Sequence, residues 1–193
     1  MAIKKILTYG DKILREKSKD VHKVSRKILD IVKDLLDTMY SQNGVGLAAS
    51  QIGESYRVFV IDTSTGDEAL NPIVFINPKI IKKSGAVISH EGCLSFPEAY
   101  TDVRRYSNVM IKALDENGRA FVLEAKDGSL LARAIQHEFD HLDGILFIDH
   151  ARNRFDVEQE LAKRHLPQLE IDKLLEEPEL EDAIKKLVEV KQQ

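Results

Sequence analysis

The residues of this chain best suited to chemistry are His137, Glu138 and His141, which form a His-Glu-x-x-His pattern. In a helix, four residues turn through about 400°, so both imidazoles lie on one face, where their ring nitrogens can reach a single metal ion. Glu138 lies about 100° round the helix and can contact a water bound to that ion. The pattern predicts a metal site; the alternative is two helix histidines with ordinary polar partners.

Cys93 is the single cysteine, so no intrachain disulfide can form, which is typical of a reducing compartment. A lone cysteine is usually a small buried hydrophobic side chain. Beside two candidate histidine ligands, it is also a candidate thiolate ligand or nucleophile. Pro97 disfavours a central strand, so we expect Cys93 at a strand end or in a loop.

A third segment of interest spans 44–53, where Gly44 and Gly46 flank Val45. Glycines permit unusual backbone angles or the close approach of another chain. A phosphate-binding loop would end in Gly-Lys-Ser/Thr, which is missing here. The simpler interpretation is a helix-to-strand loop, in which Gln51 is the side chain able to do polar work.

A helix has to position the two histidines, and the surrounding residues favour one. Ser129 follows Gly128 and is a suitable N-cap, while Gly144 is a suitable stop. The surrounding surface is mostly apolar and is made by Leu130, Leu131, Ala134, Ile135 and Leu142. We therefore predict a helix between Ser129 and Gly144.

The other elements are predicted from hydrophobic periodicity. Ser25 caps a helix that ends at Asn43 and Gly44. β-Branched and aromatic runs predict strands, and the Asn-Gly pair at 117–118 predicts a hairpin turn. The predicted strands span 56–62, 73–76, 80–88, 109–114 and 120–124, with Asn77 and Pro78 as turn residues after the second. This order indicates an α+β fold, with small mixed or antiparallel sheets packed around a central metal-binding helix.

The length of 193 residues suits one domain, with or without an appendage. We expect a main domain over 1–150 and a C-terminal helical extension over 151–193, in the same domain or appended to it. The extension is rich in charge and is interrupted by Pro167 and Pro178, which predicts two or three surface helices.

The overall charge argues against two classes of partner. A net charge of -4 gives no reason to expect stable binding to nucleic acid or to an anionic membrane. No apolar run approaches the roughly 18 residues that a membrane helix requires. The first residues show no signal-peptide core, so the expected location is the cytoplasm.

Three segments resemble, in order, the signature motifs of peptide deformylase. They are Gly-Val-Gly-Leu-Ala-Ala-Ser-Gln at 44–51, Glu-Gly-Cys-Leu-Ser-Phe-Pro at 91–97 and Gln-His-Glu-Phe-Asp-His-Leu-Asp-Gly at 136–144. Residues 10–15 are also similar to the N-terminal region of that family. The resemblance covers roughly residues 3–165 and implies that 1–150 is a deformylase catalytic domain.

The resemblance implies an enzyme that removes the formyl group from the N-terminal methionine of newly synthesised proteins, so N-formylmethionyl nascent polypeptides are the expected substrates. It implies one divalent metal ion per chain, held by Cys93, His137 and His141. Three protein ligands leave a fourth position open, as in catalytic sites. The family implies iron(II) physiologically, with zinc, nickel or cobalt able to substitute.

The resemblance also implies catalytic roles. A metal-held hydroxide attacks the formyl carbonyl, and the oxyanion is held by the backbone N–H of Leu94 and the side-chain amide of Gln51. Glu138 takes the proton of the water and passes it to the leaving amine.

Behind the ligands, Glu91, Arg105 and Asp140 are predicted to form a buried charge cluster that orients the histidines. The alternative is that Arg105 belongs to an exposed pair with Arg104.

For the substrate, the resemblance implies an added strand against the glycine loop and an apolar pocket for the methionine side chain. The residues implied are Gly44, Val45, Gly46, Leu130, Ala134 and His137. Arg133 stands where close relatives often carry an apolar residue, and we expect it at the pocket rim or mouth; Tyr100 is another candidate for the rim.

Two other functions fit part of the pattern. A zinc endopeptidase also uses His-Glu-x-x-His, but its usual third ligand lies downstream of the motif, whereas Cys93 lies upstream. A metal-stabilised binding module without turnover would not need Glu138, Gln51 and an open metal position. For the extension, docking on the ribosome and dimerisation are weighed against a solvated appendage, and its mixed charges do not decide between them.

Overall fold

Seven strands and four α-helices make up the described part of the chain. The computed structural model describes residues 3–64, 69–170, 174–175 and 177–191, with the backbone alone for 186–191. The elements are α1 (Arg26–Ser41), β1 (Gly46–Ala48), β2 (Val58–Ile61), β3 (Ile73–Ser84), β4 (Val87–Cys93), β5 (Phe96–Arg105), β6 (Asn108–Leu114), β7 (Ala120–Ala125), α2 (Leu130–Leu142), α3 (Arg154–Lys163) and α4 (Pro178–Lys191). Short 3-10 turns lie at Lys12–Arg15, Ala49–Ile52 and Phe147–His150.

All strand pairs are antiparallel, in two sheets. The larger has the order β1-β2-β3-β6-β7, and the smaller contains β4 and β5. Helix α2 packs against β1 and β2. The predicted α+β fold is confirmed, as are the strands at 56–62, 109–114 and 120–124, which correspond to β2, β6 and β7.

Helix α2 is fixed at both ends and along one face. The Ser129 hydroxyl accepts a hydrogen bond from the Ala132 N–H at 3.3 Å, which is the expected N-cap. Gly144 follows the helix with a φ of 72°, and a Cβ there would lie 2.4 Å from the carbonyl oxygen of Arg15. The amide of Gln136 bonds both backbone groups of Tyr106, at 2.8 and 2.9 Å. These contacts set the rotation of α2 and hence the direction of its histidines.

The region 73–88 differs from the prediction. Asn77 and Pro78 do not turn the chain; they lie inside β3, where the register with β6 shifts between Ile76 and Lys79. The side chain of Asn77 bonds the N–H and the carbonyl of Val21, at 2.8 and 2.7 Å, and this supports its positive φ of 50°. The actual turn lies at Gly85, with a φ of 67°. The turn prediction was wrong because a bulge and a turn favour the same residue types.

Strand β5 was not predicted. It pairs with β4 from Val87↔Arg105 to Cys93↔Phe96, with a register shift between Gly92 and Cys93. Pro97 is tolerated because this sheet has only two strands and so has free edges. The prediction that Cys93 lies at a strand end is confirmed, since it is the last residue of β4.

The extension contains α3 and α4, and α4 begins at Pro178. Residues 171–173, 176 and 192–193 of the extension lie outside the described residues. Leu180 and Ile184 of α4 belong to the same core cluster as Ala132 and Ile135 of α2. None of the helices in the described residues is long and apolar enough to cross a membrane. The division at residue 150 stays a prediction.

Replacing Leu180 by alanine tests whether α4 belongs to the core. Leu180 is 3% exposed, so the substitution should leave a cavity and lower the free energy of unfolding by about 2–5 kcal/mol in urea titrations. Phe155→Ala on α3 is the matched control, because Phe155 is 61% exposed. Equal, small effects of both substitutions would mean that the extension is appended to the domain.

Candidate metal centre

Cys93, His137 and His141 meet at one point, and together we name them the thiol–imidazole cluster. Their ligand atoms lie within 4.8 Å of one another, and the Sγ of Cys93 lies 3.3 Å from the Nε2 of His141. A tetrahedral ion with bonds of about 2.0–2.3 Å keeps its ligand atoms roughly 3.3–3.8 Å apart. The three residues therefore fit a divalent ion with small side-chain movements.

The ring nitrogens of His137 are assigned by its neighbour. Glu91 Oε2 lies 3.2 Å from His137 Nδ1, so a proton on Nδ1 leaves the Nε2 lone pair free for a metal. His141 is fully buried, and its Nδ1 has no hydrogen-bond partner among the described residues. Burial lowers the pKa of His141, which favours the neutral imidazole that a metal ligand requires.

Behind His137 lies a buried ion cluster of Arg105, Glu91 and Asp140. Arg105 is 2% exposed and donates to Glu91 from Nε at 3.2 Å and from Nη2 at 3.1 Å. Its Nη1 donates to Asp140 Oδ2. The alternative of an exposed Arg104–Arg105 pair is therefore wrong, since Arg104 instead pairs with Glu181 of α4.

The charges in this ion cluster stabilise one another. Burial alone would raise the pKa of Glu91, but the charge of Arg105 and the bond to His137 hold that pKa well below its ordinary value. For Asp140, burial is outweighed by the charges of His150 and Arg105, which lower its pKa to about 2. Both carboxyl groups therefore remain ionised at neutral pH. His150 is a member of this group that sequence reasoning missed.

Glu138 faces the cavity side of α2 and contacts the glycine loop. A Cβ at position 46 would lie 2.5 Å from Glu138 Oε1, so only glycine leaves room for this carboxyl group. Glu138 is 5% exposed, and its Oε2 has no hydrogen-bond partner among the described residues. Burial raises the pKa of Glu138 to about 7, against the charges of His137 and Arg105. A carboxyl group with such a pKa can both accept and donate a proton near neutrality.

Gln51 is held rigidly next to the thiol. Its Oε1 accepts from the Ala48 N–H at 2.9 Å, and its Nε2 donates to Ser95 Oγ at 3.2 Å and to Cys93 Sγ at 3.4 Å. The side-chain amide thus directs one N–H at the thiol–imidazole cluster, while Ser95 accepts from the other. A donor fixed in this way needs no reorganisation during a reaction.

The predicted site residues converge on one cavity of about 530 Å³. It is lined by Gly44, Val45, Gly46, Gln51, Glu91, Cys93, Leu94, Leu130, Ala134, His137 and Glu138, all of which were predicted. His141 is the fully buried member of the thiol–imidazole cluster, and Arg105 and Asp140 lie behind His137. Sequence reasoning missed Gln42, Asn43, His90, Phe96, Pro97 and Glu98 in the lining. Gln42 and Asn43 reach the cavity from the end of α1, and the β4–β5 pairing brings His90 and Glu98 to it.

The rim of the cavity combines exposed apolar side chains with one cation. Val45, Leu130 and Tyr100 are 41%, 38% and 52% exposed, respectively. Arg133 lines the cavity and donates from Nε to the Gly128 carbonyl at 3.1 Å. Exposed apolar side chains around a cavity are typical of a ligand-binding mouth.

Comparisons with known proteins agree with this geometry. A family model described as polypeptide deformylase matches residues 3–156. Peptide deformylase 1 of Clostridium acetobutylicum is 48% identical over 149 residues, which cover 77% of this chain and 95% of the relative. Peptide deformylase 1 of Clostridium perfringens is 49% identical over 150 residues, covering 78% and 99%. The crystal structure of a peptide deformylase from Synechococcus elongatus in complex with actinonin superimposes with a TM-score of 0.81 at 41% identity, covering 84% of this chain and 88% of that chain.

Arg105→Ala should disrupt the ion cluster. The substitution leaves Glu91 and Asp140 buried without their cation, so the free energy of unfolding should fall by about 3–5 kcal/mol. Loss of the Glu91 anchor should also weaken metal retention, measured as bound metal per chain after dialysis. Arg104→Ala is the control, because its side chain lies outside this cluster. Retention of metal by Arg105→Ala at the level of Arg104→Ala would contradict the proposed role of Arg105.

Proposed function

This chain belongs to the polypeptide deformylase family, and we propose that its cavity holds a formylated chain end against the thiol–imidazole cluster. The enzyme is a metal-dependent hydrolase that removes the formyl group from the N-terminal methionine of newly synthesised proteins. The observation that carries the site assignment is the convergence of Cys93, His137 and His141 within 4.8 Å, beside the buried Glu138.

The proposed metal ligands are Cys93, His137 and His141. When bound, a divalent ion with these three ligands supplies an electrophile at an open position and lowers the pKa of water there. A thiolate with two imidazoles suits several transition metals. We propose iron(II) as the physiological ion, with zinc, nickel or cobalt able to substitute.

Glu138 is the proposed proton carrier. It lies one residue from His137, faces the glycine loop and has an unpartnered oxygen. In its ionised form it would accept the proton of the attacking water, and it would then give that proton to the amine of the departing methionine. A pKa near 7 suits both transfers, because neither protonation state is strongly disfavoured.

The developing oxyanion on the formyl carbonyl would be held by Gln51 and Leu94. Support comes from the fixed amide of Gln51 and from the position of Leu94, which follows Cys93 and lines the cavity. The donors proposed are the side-chain N–H of Gln51 and the backbone N–H of Leu94. Donors fixed before reaction stabilise the transition state more than the ground state.

The substrate backbone is proposed to add as a strand next to β1. β1 is the edge of the five-stranded sheet, and residues Gly44 to Gly46 leading into it line the cavity. Recognition through the backbone leaves the enzyme tolerant of the following sequence. Val45, Leu130, Ala134 and His137 would surround the methionine side chain, with Arg133 at the mouth.

Two broader features remain proposals. We propose the cytoplasm as the location, since the substrates are newly made polypeptides, and no stable binding to nucleic acid or membrane, since the net charge is -4. Residues 151–193 would provide the surface for any association with the ribosome.

The function is tested by offering anaerobically purified protein a formyl-Met-Ala-Ser peptide and the same peptide without the formyl group. We expect one formate released per formylated peptide and no cleavage of either peptide bond. Cleavage of internal bonds without formate would instead support the zinc endopeptidase alternative.

Gln51→Ala should lower kcat by about 10²–10³, because one oxyanion donor is lost. Metal content should stay at the wild-type level, since Gln51 is not a ligand. Gln42→Ala is the control, as this second glutamine also lines the cavity but is exposed. Turnover of Gln51→Ala close to that of Gln42→Ala would remove Gln51 from the mechanism.

A further inference from the structure

We propose that His150 is a positioning residue through which the C-terminal helix α4 fixes the metal ligand His137, so that the C-terminal segment controls how firmly the ion is held. The inference rests on the proposed metal ligands but not on the reaction that the metal serves. It is carried by a series of polar contacts, each 3.8 Å or shorter, that leads from the partly exposed Glu177, next to α4, to the metal ligand His137.

The central residue of the series is His150, the last residue of the turn Phe147–His150. Its side chain is 8% exposed, and its Nε2 lies 3.0 Å from Asp140 Oδ2. The geometry is not that of a regular hydrogen bond, and Nε2 has no better partner among the described residues. The Nε2 of His150 is therefore directed at Asp140 and has no other hydrogen-bond partner among the described residues.

The series continues through Asp140 and Arg105. Asp140 Oδ2 accepts a hydrogen bond from Arg105 Nη1, so one oxygen faces both Arg105 and His150. Arg105 grips both oxygens of Glu91, and Glu91 Oε2 holds His137 Nδ1 at 3.2 Å. A shift of Asp140 must therefore move Arg105 or leave its charge unpaired, and the orientation of the His137 ring follows.

On its other side, His150 faces the start of α4. Its Nδ1 lies 3.8 Å from Glu177 Oε1, and Glu177 Oε2 accepts from Lys83 of β3 at 2.5 Å. The Leu175 N–H donates to the Asp149 carbonyl at 2.8 Å, next to His150 in the chain. Leu175 and Glu177, which precede α4, thus contact Asp149 and His150, respectively.

Helix α4 is fastened independently of this series. Arg104 pairs with Glu181 and donates to the carbonyl of Ala151 at 3.0 Å. Leu180 and Ile184 are buried in the core. The Arg104–Glu181 pair provides a matched control, since it docks the same helix without reaching Asp140.

The physical consequence is mechanical. With His150 in place, Asp140 is held between two partners, and the ion cluster has one arrangement. With an apolar residue at 150, Arg105 alone holds the Asp140 side chain. The His137 ring then gains rotational freedom. A ligand with more freedom when unbound has a larger entropy cost of binding, so the ion should leave faster.

The test measures the rate at which cobalt(II)-loaded protein loses its ion to excess EDTA, followed by the visible absorption of the cobalt–thiolate centre. His150→Leu should lose cobalt about tenfold faster than the wild type, at the lower end of the effect of removing a partner of a metal ligand. His150→Gln keeps an N–H near the position of Nε2, so its rate of cobalt loss should lie within about twofold of the wild-type rate. Equal rates for wild type and His150→Leu would overturn the proposal, as would equal acceleration by the Leu and Gln variants.

Glu177→Gln provides a second variant, because its partly exposed side chain can be changed without a folding defect. It should release cobalt about threefold faster, whereas Glu181→Gln should match the wild type. The same acceleration in both would show that docking of α4 matters in general and would overturn the role of His150. Cobalt release is read without any substrate, so a failure here is distinct from a failure of the formyl-peptide assay.

Discussion

The constraint on which this structure depends is the burial of several carboxyl groups close to one another. Glu91, Glu138 and Asp140 lie within or next to one cavity, and burial of unpaired charge is strongly unfavourable. Arg105 compensates two of the carboxylates from behind, and a divalent ion would compensate the thiolate from the front. The fold supplies the cation on one side of His137 and leaves the other side open. That asymmetry separates a structural half of the site from a reactive half.

Helix α2 connects the two halves because its faces do different work. One face carries Ala132, Ile135 and Leu142 into the core, and Gln136 ties the helix to Tyr106. The other face carries His137 and Glu138 to the cavity. Since the packing of the first face sets the rotation of the helix, the same contacts that stabilise the domain also aim the imidazoles. Substitutions in the core near α2 should therefore change the direction of the histidines as well as the stability of the domain.

Sequence reasoning succeeded where spacing alone implies geometry. A four-residue interval places two histidines on one helix face, and Asn-Gly places a hairpin turn, so α2 and the β6–β7 hairpin were predictable. The relation of Cys93 to that helix came from three motifs in order, since no local pattern links residues so far apart. Sequence reasoning failed where tertiary contacts override the local preference of a residue. Asn77 reads as a turn residue but sits in a bulge held by Val21, and β5 was hidden by Pro97. His150 was missed because its role depends on facing Asp140, which only the fold establishes.

The most direct test of this account is X-ray absorption spectroscopy of protein prepared without oxygen and loaded with one divalent ion per chain. The account predicts one sulfur scatterer at about 2.3 Å and two imidazole nitrogens at about 2.0–2.1 Å, as for tetrahedral zinc. The sulfur shell should disappear in Cys93→Ser. A spectrum with only nitrogen and oxygen scatterers in the wild type, or one unchanged by that substitution, would contradict the thiol–imidazole cluster as the metal site.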